Sequence, residues 1–388
     1  MVTTTALMNT YGERKLTLVK GEAMHLWDDQ GRRYLDALSG IAVCGLGHSH
    51  PALVAAITEQ ASSLMHISNL YNTEPGARLA DLLCSLTGME NVFFSNSGAE
   101  ANEAALKIAR KYGNDQGIKT PTVITMNGSF HGRTMATLTA TGNPKVKEGF
   151  APLLEGFIHA DYNDIDAIKA IDNDQVVAIL VEPVQGEGGV NVPADNYLSE
   201  LRALCDERNW LLMLDEIQTG NGRTGELFAY QHTDIKPDVL TTAKGLGNGL
   251  PIGACMARGK AAEVLKPGNH GSTYGGNPLV CHGAYTVLKT LQEENLINNA
   301  KRIGQYFLQE FEKKLNGQER VKHIRGKGMM IGIELTQDCP EFVNAAADKG
   351  LLLNVTAGST IRLLPPLITT EDDADKIIDI VCQLINEL

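Results

Sequence analysis

The 388-residue chain is long enough to bury a large core and to form two or three domains. Its 43% hydrophobic and 21% charged residues are ordinary for a soluble globular protein, and a formal net charge of −12 argues against nucleic acid or an anionic membrane as the main partner. Seven scattered cysteines, odd in number and without a CxxC pair, point to a reduced, cytoplasmic setting rather than a disulfide framework or zinc site. The opening MVTTTALMNTYGERK lacks the basic-then-apolar order of a secretion signal. No apolar run reaches the roughly 20 residues of a membrane span.

Between Leu16 and Leu38 apolar and polar residues alternate around Asp28-Asp29-Gln30-Gly31, which predicts a hairpin. A glycine-punctuated loop follows, and Pro51 opens a helical stretch to about Met65. His48 and His50 have no third ligand nearby in sequence, so they are expected to be structural or to line a cleft, with no metal held. A loop and a helix ending at Gly88 lead to a short strand at Val92–Phe94. Ser97 and Glu100 then form a capping box ahead of the helix formers from Ala101 to Ala109. A strand, a small-residue turn and a capped helix start can hold an anion on free N–H groups, although a plain helix cap reads the same.

Strand-like runs recur at Thr122–Met126, Val176–Val181, Leu211–Leu214 and Asp238–Leu240, with helical stretches such as Tyr197–Arg208 between them. This alternation predicts an α/β fold with a mainly parallel sheet flanked by helices. Ligands in such sheets gather at the carboxyl ends of the strands. Ser97-Gly98-Ala99, Phe130-His131-Gly132-Arg133, Glu182, Asp215 and Lys244 all fall there. Beyond Pro278 helical patterns run from Gly283 to about Leu315. Then come the β-rich pieces GMMIGIEL, LLLNV and IRLLPP, and an amphipathic helix from Glu371 to Leu388. The expected division is a large domain over 46–275, with 1–45 and 276–388 forming a smaller α+β unit from both chain ends.

Lys244 closes an apolar run and faces Gly245, Gly247 and Gly249; Asp215 closes another, LLML. A lone lysine of this kind is ordinarily a surface residue. An amine and a carboxylate both at strand ends are instead what pyridoxal phosphate chemistry requires, one for a Schiff base and one for the pyridinium nitrogen. A nucleotide-hydrolysing site would need GxxxxGK(S/T), which is absent. The clusters GLGNG and GEGG have neither the spacing nor the context of a dinucleotide site.

Read in order, NSGAEANEAALKIAR, SFHGRT, VEPVQGEGG, LDEIQTGNGRTG, TTAKGLGNGLPIGA and GSTYGGNP closely resemble the class III (ω-amino) aminotransferases of the fold-type I pyridoxal phosphate enzymes, and the resemblance spans nearly the whole chain. It implies a seven-stranded-type sheet and a homodimer with shared active sites. Lys244 is then the covalent cofactor link and proton shuttle, and Asp215 holds the ring nitrogen. Glu216, Ile217 and Gln218 are cofactor contacts, Gln218 at the ring oxygen and Glu216 leaning to a structural role. Phe130 stacks on the ring, and Ser97, Gly98 and Ala99 take the phosphate, with a hydroxyl from Thr273 of the neighbouring subunit. Family members often carry Thr where Ala99 stands, so here the backbone must bind. Arg133 grips the distal carboxylate and Arg362 the α-carboxylate of glutamate or 2-oxoglutarate. Glu187 masks Arg362 when an ω-amine is bound, and Ser272 touches substrate. Surface ion pairs are the plain alternative for Glu187 and the arginines.

Ile41 stands where ornithine aminotransferases carry a tyrosine, which favours an N-acylated amine. The implied reaction is δ-amino transfer from N2-acetyl-L-ornithine to 2-oxoglutarate. N-succinylornithine, N-succinyl-diaminopimelate, ornithine and 4-aminobutyrate are alternatives within the class. An aminomutase or decarboxylase of the same fold, and a non-enzymatic binding protein, are alternatives outside it.

Overall fold

The computed structural model describes residues 6–12 and 14–387. Residues 1–5, 13 and 388 lie outside the description, and with them the start of the expected N-terminal segment and the last residue of the expected C-terminal helix. Three strands open the chain, β1 (Leu18–Glu22), β2 (His25–Asp28) and β3 (Arg33–Asp36). The alternation expected to give one hairpin therefore gives a meander, because Ala23 takes a φ of 49° and turns the chain once before the Asp-Gly turn. The later turn is held by the Asp28 carboxylate, which accepts from the N–H groups of Gln30 and Arg32 at 3.0 and 2.9 Å.

The next seven strands form one sheet: β4 (Asn91–Ser95), β5 (Thr122–Met126), β6 (Phe157–Ala160), β7 (Val176–Val181), β8 (Leu211–Asp215), β9 (Val239–Thr242) and β10 (Gly253–Ala257). Their order is β4-β10-β9-β8-β7-β5-β6, parallel from β9 through β6, with β10 antiparallel to both its neighbours. All six residues of β7 are buried, as a sheet covered on both faces requires. Along β8, Leu211 and Met213 face a layer that includes the helix Gly98–Asp115, while Leu212 and Leu214 face the opposite layer. That helix presents Ala101, Ala104, Ala105 and Ala109, so it lies close on the sheet. Its N-terminus is thereby fixed at the end of β4. Helices Pro51–Ser63, Glu74–Thr87 and Pro278–Glu293 pack together elsewhere.

The expected helical run from Gly283 to Leu315 is two helices. Pro278–Glu293 and Leu296–Lys314 are separated at Asn295, whose φ is 54°. The remaining strands are β11 (Val321–Lys327), β12 (Met330–Leu335), β13 (Leu351–Leu352), β14 (Asn354–Thr356) and β15 (Thr360–Leu363). Four of them form an antiparallel sheet in the order β11-β12-β15-β14. LLLNV, expected as one β piece, divides between sheets. Its first half, β13, pairs parallel with β3 and ties the opening meander to the C-terminal part of the chain. The helix Glu371–Glu387 buries Ile377, Ile378, Val381 and Ile385 and packs on the helix Leu296–Lys314. No helix among the described residues is long and apolar enough to cross a membrane.

Candidate active site

The carboxyl ends of β4, β8 and β9 and the loops after β5 and β7 converge on a cavity of about 430 Å³. Asp215, 3% exposed, lies at its floor. Its Oδ2 accepts from Asn102 Nδ2 at 2.7 Å and His131 Nδ1 at 2.8 Å, and its Oδ1 accepts from the Ile217 N–H at 3.1 Å. A carboxylate oxygen only accepts, so His131 carries its proton on Nδ1. Asn102 cannot turn its amide over. Its Oδ1 accepts from Thr241 Oγ1 at 2.8 Å, while Nδ2 donates to the His131 carbonyl at 2.9 Å as well as to Asp215. A flipped amide would set its oxygen against two acceptors.

Lys244 follows β9 with a φ of 43°, in the left-handed region that costs a side-chain-bearing residue about 1–2 kcal/mol. A short turn holds it there, with the N–H groups of Leu246 and Gly247 donating to the carbonyls of Ala243 and Lys244. Among the described residues none bonds its amine. Burial holds that amine below the ordinary lysine value; Arg362 adds to the shift, while Glu187, Asp215 and Glu182 oppose it. Glu182, at the end of β7, accepts from the Phe130 N–H at 3.1 Å. Burial and then the neighbouring Asp215 push its carboxyl well above the usual range.

At the helix Gly98–Asp115, Ser97 Oγ accepts from the Glu100 N–H at 3.2 Å. The expected capping box is shifted by one residue, since the Glu100 carboxylate reaches the N–H and side-chain amide of Asn96, at 2.6 and 2.9 Å, rather than Ser97. First-turn N–H groups of a helix have no partner within it, so those of Gly98 and Ala99 are open to an anion. Gly98 packs on Ile217: a Cβ there would stand 2.8 Å from the Ile217 side chain. Phe130 and Arg133 also line the cavity, the guanidinium 5.5 Å from the ring centroid and exposed.

Glu187 lines the cavity in the loop after β7, and Arg362 stands behind it on β15. Arg362 Nη1 and Nη2 donate to the two Glu187 oxygens at 2.6 and 3.3 Å, and Nε donates to Asn354 Oδ1. Burial pushes the Glu187 carboxyl up, but the charge and hydrogen bonds of Arg362 outweigh it and hold the group below its usual value. Gln218 lines the cavity and reaches between the pair at 3.4 Å to each.

Some expected residues do not line the cavity of their own chain. The Glu216 side chain, expected as a cofactor contact, is turned away: it accepts from Thr219 Oγ1 and the N–H groups of Ala229 and Tyr230 at 2.6–2.8 Å. Only its backbone runs beside the site, and it anchors the following loop. Ser272 Oγ accepts from the Gly275 N–H at 2.9 Å and, with Asn69 and Tyr71, lines a separate surface groove; Thr273 is exposed. Sequence reasoning did not reach Val43, Asn96, Leu250, Pro251 and Ile252, which complete the wall, or Asn102 beneath it. Asn102 did carry a signal: an amide on the alanine-rich face of a helix that must be buried.

Residues 8–385 match the family model described as Aminotransferase class-III. The chain is 57% identical over 381 residues to the acetylornithine aminotransferase of Nitrosomonas europaea, covering 98% of this chain and 97% of that one. It is 48% identical over 384 residues to acetylornithine aminotransferase 1 of Bordetella pertussis, covering 98% of each. Among solved structures, the ornithine aminotransferase of Toxoplasma gondii superposes with a TM-score of 0.94 at 35% identity, over 97% of this chain and 92% of that one. The acetylornithine aminotransferase of Elizabethkingia anophelis superposes with a TM-score of 0.87 at 35% identity, over 98% and 96%.

Proposed function

The chain belongs to the class III aminotransferases, and from that premise we propose that it transfers the δ-amino group of N2-acetyl-L-ornithine to 2-oxoglutarate, giving N-acetyl-L-glutamate 5-semialdehyde and L-glutamate. The family depends on pyridoxal 5'-phosphate, and the residues around the cavity fit that group. Open N–H groups at Gly98 and Ala99, with Ser97 beside them, suit the phosphate. The Asp215 carboxylate suits the ring nitrogen, and Phe130 with Ile217 suits the two ring faces. Gln218, which touches Glu187, would suit the ring oxygen. When bound, the cofactor supplies an aldehyde for an amine to condense with and a ring that draws off electron density.

The chain's own residues do the rest. Lys244 Nζ, unbonded among the described residues and held below the ordinary lysine value by burial, would be the attachment point for the cofactor and, when free, the base that moves a proton between substrate and cofactor carbons. Asp215 would keep a proton on the ring nitrogen, and Asn102 and His131 hold its carboxylate in place for that role. The observation that carries the substrate assignment is the Glu187–Arg362 pair at 2.6 Å beside the unbonded Lys244 amine. An aminotransferase must accept two molecules in turn. When acetylornithine reacts at its δ-amine, its carboxylate lies on Arg133 and nothing anionic is near Arg362, so Glu187 stays paired. When glutamate reacts at its α-amine, its γ-carboxylate lies on Arg133 and its α-carboxylate replaces Glu187 on Arg362. Ile41 in place of tyrosine favours the acylated amine, in keeping with the names of the relatives at 44–57% identity.

In this reading the enzyme is a cytoplasmic homodimer. Thr273 serves the neighbouring subunit's site and Ser272 touches substrate, residues 46–275 carry the cofactor, and 1–45 with 276–388 form the smaller unit. The test is a half-reaction panel on the cofactor-loaded enzyme, following the visible absorbance in single turnovers. Acetylornithine should react at least about tenfold more efficiently than ornithine or 4-aminobutyrate, and glutamate should also react. Equal reaction with ornithine would remove the acyl specificity, and no reaction with glutamate would remove the transfer itself. Lys244→Ala should abolish both absorbance and turnover.

A further inference from the structure

We propose that Arg325 is a specificity-determining positioning residue: it pins the loop that carries Glu187, so that the exchange between the two substrates is confined to the Glu187 side chain. The inference rests on reading Glu187 and Arg362 as a switch. Arg325 stands on β11, its side chain 12% exposed. Its Nη2 donates to the Gly189 carbonyl at 2.6 Å, and its Nε donates to the carbonyls of Gly189 and Val190 at 3.1 and 3.0 Å. Its remaining arm, Nη1, donates to Glu334 Oε2 on β12 at 2.6 Å, which fixes the guanidinium from behind. One planar fork thus spans two successive carbonyls of the loop.

The other sides of the loop are held as well. From β14, Thr356 Oγ1 donates to the Glu187 carbonyl at 2.5 Å. The flanking residues Gln185 and Asn191 pair through their backbones, and Asn191 Nδ2 donates to the Gly188 carbonyl at 3.0 Å. Val190 is fully buried with a φ of 55°, a conformation that a β-branched residue keeps only where its surroundings over-determine it. Nor is there room to shift. A Cβ on Gly186 would stand 2.0 Å from Gln218 Oε1, and one on Gly188 would stand 2.6 Å from the Gly128 carbonyl. With the backbone so enclosed, only the Glu187 side-chain torsions can carry its carboxylate on and off Arg362.

Loosening the loop should therefore weaken the masking of Arg362 before it disturbs anything else. Arg325→Lys keeps the charge facing Glu334 but loses the fork, and Thr356→Val removes only the hydroxyl bond to the Glu187 carbonyl. In the protein without cofactor, hydrogen exchange of the 186–191 amides should rise about tenfold in Arg325→Lys, with the rest of the chain unchanged. In the loaded enzyme, kcat/KM for α-amino acids should rise about fivefold relative to the δ-amine substrate, with a smaller rise in Thr356→Val. A purely structural role would lower both half-reactions together and leave the ratio fixed. Glu187→Ala separates the two levels of the argument. If that variant leaves the ratio unchanged, the switch reading has failed. If it moves the ratio while folded Arg325→Lys and Thr356→Val keep the wild-type ratio and exchange, the pinning is wrong. Should Arg325→Lys not fold, Thr356→Val alone decides in the same way.

Discussion

His48 donates from Nε2 to Asp36 Oδ2 at 2.7 Å, while His50, two residues on, lies 3.3 Å from Glu294. The two imidazoles of the HxH motif therefore serve different partners. The hydrogen bond to Asp36, and after it one to the Cys44 thiol, raises the His48 pKa to about 9 against the opposing effect of burial. The sign of the consequence is fixed by linkage. An unfolded histidine releases its proton near 6.5, whereas the folded one keeps it to about 9, so the stabilisation is complete below 6.5 and is lost as pH rises through 9. For a half-buried imidazole, solvent screening reduces the amount at stake to on the order of 1–2 kcal/mol. Urea unfolding of the wild type from pH 6 to 9.5 should show that loss, and His48→Gln should be flat over the same window. Parallel profiles would rule out His48 as the titrating group. The motif was legible and its partners were not, because Asp36 and Glu294 come from a strand end and a helix end that only the tertiary fold brings near.

At the scale of elements, what the sequence disclosed follows from what each segment buries. β5, β7 and β8 read as strands because both faces are covered, and the helix start at Ser97 was legible because its cap is a local pattern. β6 is four residues long, and β10 reads Gly-Ala-Cys-Met-Ala with no β-branched residue, so neither carries a strand signal. Yet β10 decides the geometry of the turn that we propose takes the phosphate. It runs antiparallel to β4 and passes directly beneath the turn that precedes the helix. A Cβ on Gly253 would stand 2.2 Å from the Ser97 carbonyl and 2.7 Å from Ser95 Oγ, and one of those is backbone that cannot yield cheaply. Gly253→Ala should therefore displace the Ser97–Ala99 turn, with a stability loss of about 1–3 kcal/mol and cofactor affinity down at least about tenfold. Calorimetry of the cofactor-free protein and an absorbance titration with pyridoxal phosphate measure the two separately. Unchanged affinity in a destabilised variant would detach β10 from the proposed phosphate site.

Across the whole molecule, the cavity is assembled from residues as distant in sequence as Val43 and Ile252, and the Arg362 behind it comes from the last sheet, joined to the opening meander through β3 and β13. One group of expected site residues still falls outside it. Ser272 and Thr273 sit on a surface loop, and the skin around them is apolar: Leu70 is 85% exposed, Tyr71 65%, Tyr274 63% and Met65 55%. These side chains form one neighbourhood, since Asn69 Nδ2 donates to the carbonyls of Ser272 and Gly275 and the His66 and Tyr274 rings lie 5.3 Å apart. So much exposed aromatic and aliphatic surface in one place marks a face made to be covered. A second copy of the chain on that face would remove the apolar surface from water, and on the proposed reading it would also set Thr273 at the partner's phosphate site. Sedimentation should then find a dimer. If Thr273 serves the neighbouring site as proposed, Leu70→Asp combined with Tyr274→Asp should yield a folded monomer whose affinity for pyridoxal phosphate is reduced about tenfold or more. A monomer with undiminished affinity would leave Thr273 without a role in the site, and a dimer that survives both substitutions would place the interface on another face.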